Sequence, residues 1–245
     1  GRCHGKWVEY FRNGKVHESA TYNNGECDGE TRNYYTTGEL KEITHYVASL
    51  ANGEYRAYHR GGVLKERSFY RDGKMHGDSQ KYYTNGVLKY CGCYVDGAAH
   101  GESRDYYKNG VLKEIGYYNH GMQEGELRNY YKNGQLHETG YYVHGKLQGE
   151  CPIYCENGVL ACIENYLDGK LHGKRCEYYE NGNLKQVSHY NHDQLHGSYT
   201  TYYDNGILCE KYSYFNGFKD GHYTLYNEIG EVIEHRLYRG GDSFV

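Results

Sequence analysis

Glycines stand at positions 14, 38, 62, 86, 110, 134, 158, 182, 206 and 230, every 24 residues without a slip. A second series runs through Gly5, Gly29, Gly53, Gly77, Gly101, Gly125, Gly149, Gly173, Gly197 and Gly221. A third runs from Gly25 to Gly241 and misses only at Ser49 and Asp193. Two tyrosine series keep the same period without exception, one from Tyr10 through Tyr34 and Tyr58 to Tyr226, the other from Tyr22 through Tyr46 to Tyr238. A period of this length marks an array of like supersecondary units, each burying its apolar side only against neighbours. The ten glycines of the second series, Gly5 to Gly221, therefore open ten units of one repeat domain covering residues 1–245.

The chemistry inside a unit is that of a β-hairpin. In Gly101-Glu-Ser-Arg-Asp-Tyr-Tyr-Lys-Asn-Gly-Val-Leu-Lys-Glu-Ile-Gly-Tyr-Tyr118, two strand-like segments flank Asn109-Gly110. Asn-Gly is the favoured pair for a two-residue type I′ turn, in which both residues take positive φ. Asn13, Asn85, Asn109, Asn133, Asn157, Asn181 and Asn205 all precede such a glycine. A two-residue turn would set Tyr107 opposite Leu112, Tyr106 opposite Lys113 and Gly101 opposite Tyr118, with the ring of Tyr118 covering the bare glycine. A longer loop, such as Asn119 to Glu124, would lead to the next unit. Glycine at this density leaves no apolar stripe of helical period.

The expected fold is all-β: an elongated array of ten stacked antiparallel hairpins forming one twisted meander sheet. At about 4.8 Å per strand the array would be on the order of 95 Å long and roughly 23 Å wide. Composition agrees with so thin a body. The chain has 33 Tyr and 34 Gly against one Trp and one Pro. Tyrosine buries a flat ring while its hydroxyl stays wet, and this aromatic content separates the chain from disordered sequences of similarly low hydropathy.

The pattern Tyr-Tyr-x-Asn-Gly-x-Leu-Lys-Glu followed by Tyr-x-x-Gly-x-x-x-Gly resembles the variant MORN repeat (membrane occupation and recognition nexus). It is similar above all to the form found in antitoxin-like bacterial proteins and in multi-copy proteins of large DNA viruses. The resemblance spans His4 to Gly241 and departs most in the seventh unit, where Pro152, Cys155 and Ala161 replace the usual Arg, Tyr and Lys. It implies stacked hairpins used for scaffolding, dimerisation and protein contact, with no catalytic residue and no cofactor. Proline removes a ladder donor, so the seventh unit is where the ladder should break.

Candidate chemistry is sparse. His4, His76, His100, His172 and His196 share one phase, but same-phase residues would lie about 9.6 Å apart, too far for one metal ion. His189 and His192 lack a third ligand. Cys91/Cys93 and Cys151/Cys155 lack the spacing of zinc knuckles. Nine cysteines scattered over the repeat argue for free thiols in a reducing, intracellular compartment. Glu18, Glu42, Glu66, Glu114 and Glu138 form a repeated surface row rather than a catalytic pair.

The candidate interaction face comprises Tyr34, Tyr58, Tyr82, Tyr106 and Tyr130 with Arg32, Arg56, Arg104 and Arg128 and with Lys41, Lys65, Lys89 and Lys113. The expected register places all of them on one side of the sheet. Acidic residues at 30, 54, 78, 102 and 126 balance them, and the whole chain carries a formal charge of −4. Nucleic acid is disfavoured on that ground, and a peripheral membrane contact has no support beyond the basic rows. The leading expectation is a non-enzymatic scaffold that meets protein partners or further copies, in the manner of a virion component. The alternatives are a toxin inhibitor and a binder of anionic lipid or nucleic acid.

Overall fold

The computed structural model describes residues 2–244, so the outermost residues of the 1–245 array lie outside the described residues. It is all-β, with no helix among the described residues. Contacts divide the chain into two compact units, Gly1–Met122 and Gln123–Val245. Each is an antiparallel meander of hairpins. In the first unit the hairpins pair Gly5–Tyr10 with Val16–Asn23, Gly29–Tyr34 with Leu40–Val47, and Gly53–Tyr58 with Leu64–Arg71. Lys74–Tyr82 with Leu88–Val95 and Gly101–Tyr106 with Leu112–Asn119 complete it. The second unit repeats the plan from Gly125–Tyr130 with Leu136–Val143 to Gly221–Tyr226 with Val232–Arg239.

The turn at Asn-Gly differs from the expected type I′. The Tyr107 amide donates to the Val111 carbonyl and the Gly110 amide to the Tyr107 carbonyl, both at 2.8 Å. Gly110 has φ +87°, while Asn109 is absent from the positive-φ residues. This is a type I turn closed by a glycine bulge, the usual three-residue hairpin loop. Its pairing therefore sets Tyr106 opposite Leu112, not Lys113. A bulge at Lys113 then restores the expected alignment, from Asp105 opposite Glu114 to Gly101 opposite Tyr118. The type I′ geometry occurs at the other end of the hairpins instead. Asp96 and Gly97 have φ +50° and +89° between the paired residues Val95 and Ala98.

Asparagine is in the three-residue loop for its side chain. Asn85 Oδ1 accepts from the Val87 amide at 3.3 Å, and its Nδ2 donates to the Lys108 carbonyl of the following hairpin at 3.1 Å. Asn13 reaches Thr36, Asn133 reaches Glu156, Asn181 reaches Asp204 and Asn205 reaches Glu228 in the same way. A second set of bonds runs beside it. The hydroxyls of Tyr35 and Tyr83 donate to the Tyr58 and Tyr106 carbonyls at 2.8 Å, and His59 Nε2 substitutes in the intervening unit, 3.0 Å from the Tyr82 carbonyl. In the second unit Tyr131, Tyr179 and Tyr203 continue the series. Cys155, standing where a tyrosine would be, has no hydroxyl to give.

Gly101 is not required for aromatic cover. A Cβ added there would meet nothing within 4 Å, but its φ of +84° excludes an ordinary L side chain. Pro152 does not break its own hairpin. It pairs with Ile163 within Lys146–Tyr154 and Leu160–Leu167. The gap falls on the other edge, where the ladder with Leu136–Val143 passes from Glu138/Ile153 to Tyr141/Gln148.

Asn85→Ala deletes two side-chain hydrogen bonds and should cost about 1–2 kcal/mol of stability. Gly86→Ala forces a Cβ to φ +81° and should cost about 1–2 kcal/mol. Urea unfolding followed by circular dichroism measures both. An unchanged midpoint for Asn85→Ala would mean that the inter-hairpin bond contributes nothing.

Candidate interaction face

Residues two apart on a strand share a face, which gathers Glu, Arg and Tyr into short rows. In the first unit Arg32 Nε lies 2.5 Å from Glu30, Arg56 pairs with Glu54, and Arg104 lies 2.6 Å from Glu102. Glu30 and Glu54 are the main influences holding Arg32 and Arg56 cationic, whereas for Arg104 it is the hydroxyl of Tyr106. Neighbouring strands add to the rows. Arg67 Nε sits 2.6 Å from Glu54, His45 Nε2 3.6 Å from Glu30, and Tyr117 donates to Glu102 at 2.8 Å. Where the fourth hairpin has Gln80 instead of Arg, Tyr82 donates to its amide oxygen at 3.0 Å.

These pairs are exposed, with arginine side chains 44–47% accessible, and each is worth at most about 1 kcal/mol. Their larger effect is to neutralise the arginines and hold them upright beside tyrosine. Shallow hollows flank the rows. One of about 260 Å³ is lined by Asp78, Gln80, Cys91, Cys93, Glu102 and Arg104. Another, of about 140 Å³, lies among Glu30, Ile43, His45, Glu54 and Arg56. In the second unit Arg128 holds Glu126 through two bonds of 2.8 and 2.7 Å beside Tyr130. Beyond it the arginine position is filled by Pro152, Cys176, Thr200 and Thr224.

The lysines are not part of these rows. The bulge carries Lys89 to the second tyrosine of the pair, with Nζ 5.8 Å from the centre of the Tyr83 ring. Lys185 sits over Tyr179 in the same way. Lys89 and Lys113 also offset the burial that raises the pKa of Asp105, a residue on the face opposite Arg104. Lys65 lines a hollow of about 250 Å³ with Lys81, Lys89, Glu66 and both Tyr82 and Tyr83. Lys41 is exposed at the equivalent place. Lys89 thus lies with the second tyrosine of its pair, and Lys89 and Lys113 act on Asp105, away from the arginine rows.

The opposite face holds most of the interior, with Cys176 the buried residue at an arginine position. Its mid-strand row consists of small residues, with Ser68, Ser79 and Ser188 fully buried and Ala20, Ala57, Thr31, Ser103, Cys151 and Cys162 nearly so. Tyrosine rings roof this row. A Cβ on Gly92 would lie 2.5 Å from the Tyr90 hydroxyl, so the glycine lets that ring close down. Tyr55 meets Tyr70 edge-on at 6.0 Å, and Tyr199 stacks on Tyr212 at 4.7 Å. The glutamates expected at the surface are half-buried here. Glu42 accepts from Asn33 at 3.0 Å and Tyr55 at 3.1 Å, and Glu138 accepts from Asn129 at 2.7 Å. Only one side of this row was legible in sequence, the Tyr22-to-Tyr238 series. Of the partners, Tyr55 and Tyr199 share an interrupted aromatic phase with Trp7 and Tyr223, while Tyr90 and Tyr212 stand in no tyrosine series.

The family described as the MORN repeat variant matches residues 4–24, 28–48, 51–74, 75–96, 99–120, 123–144, 171–192 and 195–216. The chain belongs to this family. The MORN match passes over residues 145–170, the stretch containing Pro152, Cys155 and Ala161. Among curated proteins none matches the sequence. Among solved structures, the toxin complex TcdB2-TccC3 aligns with 96% of this chain and 17% of its own length at 11% identity and a TM-score of 0.22. The chain thus spans about a sixth of that protein. A porin-like protein from Bacteroides uniformis aligns over 98% of this chain and 92% of its own, at 11% identity and a TM-score of 0.20. Scores this low place no function on the MORN chain. No cluster of three or more metal-ligating side chains occurs among the described residues.

Burial dominates the titration of the MORN interior. It raises Tyr55, Tyr90, Tyr166 and Tyr212 above the usual phenol value of 10.0 and Tyr223 to about 12. It also pushes Cys151 and Cys162 from 9.0 to about 11. A group whose folded pKa is raised favours the folded state fully below its unfolded pKa, and loses that contribution as pH climbs toward the folded value. Sheet circular dichroism should therefore hold to about pH 9 and collapse above about pH 10, with phenolate absorbance at 295 nm rising alongside. Full ionisation of tyrosine with an unchanged sheet signal would contradict the burial. In the same protein at pH 8, Cys151 and Cys162 should resist a thiol reagent until urea is added, whereas exposed Cys3 reacts at once.

Proposed function

We propose that this MORN chain is a non-enzymatic scaffold whose first unit presents the Arg32, Arg56 and Arg104 rows, with Tyr34, Tyr58 and Tyr106, to protein partners. The observation that carries the proposal is the repeated Glu-Arg-Tyr row. Each arginine is already paired with a carboxylate and braced by a hydroxyl, so it meets a partner with little side-chain freedom left to lose. Arg and Tyr are also the side chains that most often dominate protein interfaces. Hollows beside the rows would receive a partner's side chains. Hydrogen bonds between successive hairpins favour a stiff support beneath this face.

The same neutralisation weighs against a lipid or nucleic-acid role, because a cation already held by a carboxylate adds little field. Nine free thiols support a reducing compartment. A place in a larger assembly is the setting we favour, since identical units at fixed spacing suit a multivalent support.

Chemical crosslinking of the native protein at its source, followed by mass spectrometry, should yield crosslinked protein partners. Recovery of free monomer alone would sink the scaffold reading. Given a partner, Arg32→Glu/Arg56→Glu/Arg104→Glu should reduce capture at least about tenfold with the sheet signal preserved. Undiminished capture would leave the scaffold reading intact and move its contact off this face.

A further inference from the structure

The hairpin formed by Gly221–Tyr226 and Val232–Arg239 contains a contact unlike any other histidine pair among the described residues. His222 Nδ1 lies 3.2 Å from His235 Nε2, with the rings stacked at 5.2 Å between centres and 22° between planes. Both side chains are exposed. The contact runs along a cross-strand diagonal that the fold uses elsewhere for charge. Glu54 and Arg67 occupy the same diagonal of the third hairpin and form an ion pair at 2.6 Å. Here the fold holds two imidazoles together instead.

We propose that His222 and His235 form a two-imidazole chelate for a borderline divalent transition-metal ion, Cu²⁺, Ni²⁺ or Zn²⁺. Two nitrogens bound to one ion at about 2.0–2.1 Å, at angles between square and tetrahedral, lie about 2.9–3.4 Å apart. The observed separation falls within that span. Imidazole is a preferred ligand for these ions. Water completes the coordination, since the site is open to solvent.

Thr224 sets the second shell. Its Oγ1 lies 3.2 Å from His235 Nδ1, on the residue paired directly opposite His235. When Nδ1–H donates to that hydroxyl, Nε2 is left with its lone pair toward His222, the tautomer a metal ligand requires. With His235 in that tautomer, the contact in the metal-free protein is a hydrogen bond donated by His222 Nδ1–H to His235 Nε2. On binding, that proton moves to His222 Nε2 through solvent, so the neutral pair takes up the ion with no net release of protons. Lys211, whose Cα pairs with Thr224 from the adjacent strand, is the charged neighbour on this side. It disfavours a second cation and adds no ligand. The other close pairs, His100 with His120 at 5.3 Å and His172 with His192 at 5.0 Å between ring centres, face each other at tilted or edge-on angles.

The test is titration of the untagged full chain with CuCl₂ and with ZnCl₂ by calorimetry, with electron paramagnetic resonance of the copper form. The expected result is one site, tighter for copper than for zinc, with nitrogen hyperfine structure from two imidazoles. His222→Ala/His235→Ala should abolish it, Thr224→Val should weaken it about tenfold, and His100→Ala/His120→Ala should leave it unchanged. Circular dichroism of each variant confirms that the fold is retained. Absence of binding by the native chain, or equal binding by the His222/His235 double variant, would overturn the proposal.

Discussion

Hydrogen bonding between neighbouring hairpins is what every other feature of this chain depends on. A two-stranded hairpin alone is marginal in water, and none here carries an apolar face broad enough to change that. Within each of the two units, most hairpins are tied to the one before at both ends and in the middle. At one end loop amides reach carbonyls of the preceding loop, as Gly73 does to Ala51 and Gly97 to Met75, both at 2.8 Å. At the other end asparagine amides and tyrosine hydroxyls reach carbonyls of the following turn. Between them runs the strand ladder itself. The 24-residue period is the spacing that brings each donor to its acceptor, so insertion of one residue would disconnect all three sets at once.

That constraint accounts for the polar interior. With no second layer to pack against, the buried row must be shallow, and serine, alanine, threonine and glycine fill it. Tyrosine closes over the row because its ring supplies apolar area while its hydroxyl finds a carboxylate or another hydroxyl at the rim. Charge is tolerated only where it is answered. Arg175, which replaces a small residue in this row, lies 2.9 Å from Glu164 and also binds Glu177. Lys219 is held over the rings of Tyr212, Tyr223 and Tyr238 at 4.3, 5.4 and 5.4 Å. The interior departs from strict repetition because a thin core accepts any side chain whose volume and polarity its neighbours can match.

The outer face follows a different rule. Facing water, it can vary without loss of the fold, and it does so in blocks. Arginine rows with carboxylates occupy the early hairpins, proline, cysteine and threonine replace them later, and a histidine pair appears on Gly221–Arg239. A periodic scaffold with a non-periodic outer surface separates stability from recognition. Substitutions on that surface can create an interface or a metal chelate while leaving the hydrogen bonds between hairpins intact.

The repeat was legible in sequence because glycine at positive φ and asparagine at a turn are local requirements, met or missed by single residues. Period, strand pairs and the alignment of Gly101 with Tyr118 all follow from that. The turn type did not follow, since type I′ and type I with a glycine bulge both accept Asn-Gly. The same loop closes at Thr37-Gly38 and Ile229-Gly230, so the turn is set by the hairpin as a whole, and asparagine, where present, adds a bond to a turn 23 residues away. The one-residue bulge that comes with this turn parts Lys89 and Lys113 from Arg104, which sequence spacing alone would have joined. In the same way His222 and His235, thirteen residues apart and in no histidine series, become neighbours only through cross-strand pairing. Local backbone chemistry is written residue by residue; which side chains share a surface is decided by contacts between hairpins.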